Sequence, residues 1–174
     1  MTKQEISSLL KNKHESLFNW LDDQSIDRWE KGPENKWTTG QQVLHLLQSA
    51  KQLNKALGIP KLILKYKFGK SNRIPRDYEA IVNRYHERLK AAKGRTFGPS
   101  QNMRIPNEFE KVNLIKQLQL EHERLQSHLT KWKDNKLNSL LLPHPLMGKM
   151  PVREIIMWSA YHVEHHTKAL QSDY

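Results

Sequence analysis

Apolar residues recur three and four positions apart over four long stretches of this 174-residue chain. That period is the spacing of one helix face, and no comparable stretch alternates with a period of two. The first helix is expected from Thr2 to Asp22, with Ile6, Leu9, Leu10, Leu17, Trp20 and Leu21 inward. The stretch Asp23 to Lys36 is mostly polar and carries the breaker Gly32-Pro33. Trp29 lies in it without an assigned place. Thr38, with Gln41 three residues on, fits a capping box and starts a second helix from Thr39 to Leu57. Its apolar face is Val43, Leu46, Leu47, Ala50, Leu53 and Leu57.

The middle third is less regular. Lys61 to Phe68 reads as a short helical stretch, Gly69 to Pro75 as loop, and Arg76 to Lys93 as a helix. Gly94 to Pro106 reads as a long loop, of a kind that often borders a binding site. A further helix is expected from Asn107 to Asp134, with Phe109, Val112, Ile115, Leu118, His122, Leu125, Leu129 and Trp132 on one stripe. Asn135 to Met150 reads as a connection, and Pro151 suits the first position of a final helix. Long helices towards both ends, extra helix between them and no strand signal predict an all-α, single-domain helical bundle. Such bundles build metal sites from side chains on facing helices.

Composition removes several functions. The chain has no cysteine, so disulfides, thiolate ligands and cysteine nucleophiles are excluded and any metal must be held by nitrogen and oxygen. No run of 18 apolar residues is present, and the start, Met1-Thr2-Lys3-Gln4-Glu5, lacks a signal-peptide core. A soluble, cytoplasmic protein without membrane association is expected. The net charge of +11 is spread along every segment, with a mild concentration between Lys61 and Arg95. It is read as a solvated basic surface rather than a nucleic-acid interface, an anionic partner or substrate near the basic region being the alternative.

Nine histidines remain to be placed. On the last helix Ile155, Ser159, His162, His166 and Ala169 fall on one stripe, so His162 and His166 stand one turn apart on an inward face. His45 lies at the edge of the apolar face of the second helix. Two inward imidazoles and a third from a facing helix can hold a divalent metal and leave positions open. The alternative is a pair of core histidines bonded to backbone, although leaving both unpaired costs about 1–3 kcal/mol per group. His165 sits beside the stripe, and His122, within the apolar stripe of its helix, is read first as a core residue, with a place in the same cavity as the alternative. His144, in Pro143-His144-Pro145, reads as a loop residue. His14, His86 and His128 read as surface or boundary residues. Glu164 faces outward, and no catalytic base is assigned.

Two motifs carry a resemblance. Trp37-Thr38-Thr39-Gly40-Gln41-Gln42-Val43-Leu44-His45-Leu46 resembles the W-S-x-G-x-x-x-x-H-L opening of the second helix in the DinB/YfiT-like superfamily of metal-dependent enzymes. His144-Pro145-Leu146-Met147-Gly148-Lys149 through Tyr161-His162-Val163-Glu164-His165-His166 is similar to that family's H-P-x-x-G connection and terminal H-x-x-x-H helix. The resemblance implies a four-helix bundle of unusual connectivity and a site for nickel, zinc or iron with His45, His162 and His166 as ligands. It also implies a small-molecule substrate and, in many relatives, a homodimer. Relatives include thiol-dependent S-transferases, a thiol-dependent isomerase and proteins described as metal-dependent hydrolases. The expectation is therefore a metal-dependent hydrolase or S-transferase, the alternative being a non-catalytic bundle with structural histidines. Gln41 departs from the acidic residue many relatives carry there, and residues 60 to 107 are expanded with basic and aromatic groups.

Overall fold

The structure, a computed structural model, describes residues 1–92 and 102–173. Most of the loop expected at Gly94 to Pro106 lies outside the described residues. Eight helices are described: α1 (Lys3–Asp22), α2 (Asp27–Glu30), α3 (Thr39–Gly58), α4 (Lys61–Phe68), α5 (Tyr78–Ala91), α6 (Lys111–Lys131), α7 (Asp134–Ser139) and α8 (Val152–Asp173). Local chemistry sets their starts. Thr2 with Glu5, and Thr38 with Gln41, each form a reciprocal capping box. Asp77 caps α5 by accepting the Ala80 N–H at 2.8 Å.

The four long helices form a ring in the order α1, α6, α3, α8. Their directions follow from side-chain pairings. Lys51 donates to Gln117 and Asn54 to the Glu121 carbonyl, so α3 and α6 run parallel. Arg153 bonds the Met1 carbonyl and Lys13 pairs with Glu164, so α1 and α8 also run parallel. Ser7 meets Gln126 and Lys3 reaches the Thr130 carbonyl, which makes α1 and α6 antiparallel. A parallel neighbour cannot be reached by a short turn. The chain therefore climbs the full length of the bundle between α3 and α6, and α4 and α5 lie on this crossover. α5 packs on α8, and α4 packs on the hairpin described below.

Two apolar clusters fill the bundle. One end gathers Ile6, Leu10, Leu57, Leu129, Trp132 and Ile156; the other gathers Leu17, Leu21, Val43, Leu47, Leu118 and Leu170. Trp29 of α2 closes the second end, buried, with its Nε1–H donated to the Asn107 carbonyl at 3.0 Å. Gly40 makes room for it, because a Cβ there would stand 2.9 Å from the Trp29 carbonyl oxygen.

Three expectations are corrected. The connection before the last helix contains α7 and a hairpin, β1 (Leu141–His144) against β2 (Gly148–Pro151), antiparallel with Leu141 opposite Pro151 and His144 opposite Gly148. Strands of four residues, two of them containing proline, are too short to show alternation. Phe109 and Val112 are exposed: Phe109 lies in a 3-10 turn (Glu108–Glu110) ahead of α6, and the buried face of α6 is Leu114, Leu118, Leu125 and Leu129. At 100° per residue, Leu114 projects close to Leu118 and Val112 does not. His14 is buried, not peripheral.

Candidate metal centre

α3 and α8 run antiparallel and bring their histidines level. His45 Nε2 lies 3.0 Å from His162 Nε2, which lies 3.0 Å from His166 Nε2. One ligand atom from each of the three falls within 4.8 Å of the others. His162 and His166 are buried and His45 is half-buried. Two indoles wall the trio. Trp158 stacks on His162 at 4.6 Å between ring centroids, and Trp37 stands 5.1 Å from His45 and parallel to His166.

Hydrogen-bond logic tests whether these residues suit a cation. Gln42, one turn before His45 on α3, accepts the Nδ1–H of His166 at its Oε1. In the neutral ring this leaves His166 Nε2 a bare lone pair. A hydrogen on His162 Nε2 can serve one of its two 3.0 Å neighbours and not both. With every ring neutral, at least one of the two close nitrogen pairs is left without a hydrogen bond, a deficit that a shared cation relieves. Nitrogens at ~2.0–2.1 Å on a tetrahedral ion lie ~3.3 Å apart, close to the two 3.0 Å separations, with the third pair within 4.8 Å. The residues present fit a divalent metal.

Electrostatics keep the rings neutral. Burial holds the His45 imidazole down to about 4, and the nearby charge of His165 adds to the effect. Burial first, then repulsion from neighbouring imidazoles, holds His162 and His166 well below the ordinary imidazole range. Neutral imidazole is the metal-binding form.

The trio opens onto a cavity of about 440 Å³ between α3 and α8. Its roof is α4, α5 and the hairpin, through Phe68, Tyr85, Leu89, Leu142 and Leu146. His165 lines it beside the trio. His144 does so too, although the sequence placed it in a loop. It ends β1, buried, where its Nδ1 accepts the N–H groups of Leu146 and Met147 at 3.1 and 3.0 Å. The histidine of the H-P-x-x-G segment thus closes its own turn, and burial holds it down to about 4. His122 does not line the cavity. α6 is diagonal to α8, and its ring stacks on His14 of α1 at 3.9 Å. His14 donates its Nδ1–H to the Leu10 carbonyl and is held down to about 3 by burial, then by His122. Glu164 is half-buried at the rim of α8, paired with Lys13 and Lys168 and bonded by Tyr78. Gln42 and Trp37 were missed in the sequence. Gln42 stands three residues before His45, a spacing that places both on one face.

The DinB superfamily model matches residues 9–170. The chain belongs to the DinB superfamily. Among solved structures it is similar to YfiT from Bacillus subtilis, described as a probable metal-dependent hydrolase with an unusual four-helix bundle topology. The two are 18% identical, with a TM-score of 0.59 over 95% of this chain and 81% of YfiT, so the likeness is one of fold. No curated protein matches the chain. This DinB member has, among its described residues, no helix long and apolar enough to cross a membrane.

Proposed function

We propose that this DinB-superfamily protein is a metal-dependent hydrolase whose divalent ion is held by His45, His162 and His166. The observation that carries the reading is the meeting of three Nε2 atoms at the wall of the cavity. Three protein ligands leave coordination open, which distinguishes a catalytic centre from a closed structural one. When bound, the ion supplies Lewis acidity that polarises a carbonyl group and makes water a better nucleophile at neutral pH. The chain supplies the rest. Gln42 fixes the His166 tautomer, Trp37 and Trp158 shield the ligand rings, and the roof of the cavity limits water around a bound substrate. The description of YfiT as a probable metal-dependent hydrolase supports hydrolysis over thiol transfer.

The test is metal analysis of protein purified without a histidine tag, with hydrolysis of p-nitrophenyl butyrate followed alongside. Wild type should carry about one divalent ion per chain, the occupancy of a single three-imidazole site, and His162→Ala should lose both ion and hydrolysis. Metal-free wild type, or a variant that keeps its ion, overturns the reading in favour of a non-catalytic bundle. Stoichiometric metal with thiol conjugation and no ester hydrolysis overturns the hydrolase part alone.

A further inference from the structure

The cavity differs in kind from the outside of the molecule. The chain carries a net charge of +11, and Lys and Arg occur in every segment. Yet among the described residues no lysine, arginine, aspartate or glutamate lines the cavity. Moving away from the trio, its walls are aliphatic and aromatic: Leu53, Ile59, Phe68, Leu89, Leu142 and Ile155. Its volume, about 440 Å³, falls in the range of small-molecule sites.

One wall is polar. His45, Gln48, Ser49 and Gln52 all line the cavity from α3. Their spacing of three to four residues makes one helix stripe running away from the trio. Gln48, Ser49 and Gln52 carry amide and hydroxyl groups along this stripe of the cavity wall.

We infer that the cavity takes an uncharged small molecule with an extended apolar body and a hydrogen-bonding edge of amide or hydroxyl groups laid along Gln48, Ser49 and Gln52. This rests on the hydrolase reading only for the identity of the end that meets the histidines. A charged group on the body would leave water for walls that, among the described residues and away from the histidines, carry no lysine, arginine, aspartate or glutamate, a cost that a neutral body avoids. A divalent ion at the histidine end would itself attract an anion; away from that end the described walls give the body of an anionic substrate no cation.

A matched pair of dyes tests this on the metal-loaded protein. N-phenylnaphthylamine is uncharged, and anilinonaphthalene sulfonate is the same aryl amine bearing a sulfonate, a poor metal ligand. Fluorescence titration at about 0.5 M NaCl, where the Debye length is below about 5 Å, removes attraction by the basic surface. The neutral dye should bind at one site at least about tenfold more tightly than the sulfonate. Ala56→Trp, which fills the cavity from α3, should abolish that binding with metal content unchanged. Leu146→Arg, which places a cation on the hairpin wall, should shift the preference towards the sulfonate, and it serves as a second variant if Ala56→Trp does not fold. Equal or tighter binding of the sulfonate by wild type, binding of neither dye, or neutral-dye binding untouched by both variants overturns the inference. Dye binding with the expected preference in a protein that proves metal-free leaves this inference standing while the hydrolase reading falls.

Discussion

Gln42 decides which nitrogen of His166 faces the trio. Its Oε1 can only accept, so the Nδ1–H of His166 points to it and the Nε2 lone pair points to His162. Partners of this sort typically contribute 10–100-fold to metal affinity, as an order of magnitude. Gln42→Ala should therefore weaken zinc binding by about 10–100-fold with helicity unchanged, measured by competition with a chelating dye. Unchanged affinity would show that the ring is oriented by packing against Trp37 and not by the amide. At this scale the sequence was partly legible. His162 and His166 stand out because four residues separate them on an apolar helix, and His45 because it stands at the edge of a facing stripe. His14 does not stand out. A histidine at an inward position spaced four from Leu10 looks like any polar residue on a helix until the packing of α6 shows its ring stacked on His122.

At the level of elements, Glu154 joins the crossover to the bundle. It lies in the first turn of α8, buried, and accepts from the Arg73 guanidinium and from the Arg76 N–H at 2.6 Å, with the Arg76 guanidinium at 3.4 Å. Burial pushes the Glu154 carboxyl up, and the bonds and charges from Arg73 and Arg76 more than reverse this, so it is held below the ordinary carboxylate value of 4.5. The folded chain then binds fewer protons at this group than the unfolded chain does. The resulting stability is complete above the unfolded value and is lost as pH falls through the folded one. Glu154→Gln should cost about 1–3 kcal/mol at neutral pH, less than for a fully enclosed pair because both guanidinium groups reach solvent. It should also flatten the fall in urea midpoint below about pH 4.5. An equally steep acid decline in the variant would place that dependence elsewhere. Helix starts were legible because caps are local: Thr38 with Gln41 announces α3 from four residues. The hairpin was not, since β1 and β2 are held by a partner strand and by the His144 turn, neither of which leaves a period in four residues.

For the whole molecule the parallel pairs α1/α8 and α3/α6 are what create the site. They force a long crossover, and the crossover supplies the roof that turns a groove between α3 and α8 into a cavity. Helix periodicity shows which face turns inward and says nothing about direction, so this arrangement could be expected only through the family resemblance. The trio spans α3 and α8, so an ion held by it would cross-link two helices far apart in sequence. Saturation at about 100 times the dissociation constant should stabilise the bundle by about 2.7 kcal/mol. Chelation should accordingly lower the Tm by roughly 5–10 °C in wild type and leave His162→Ala unmoved, by scanning calorimetry. A wild type indifferent to chelator would contradict the cross-link. The measurement that bears most directly on the whole account is X-ray absorption at the metal edge of the untagged, zinc-loaded protein. Three imidazole nitrogens at ~2.0–2.1 Å, with the outer-shell scattering of three rings, is the predicted spectrum; a shell with one imidazole or none would contradict it.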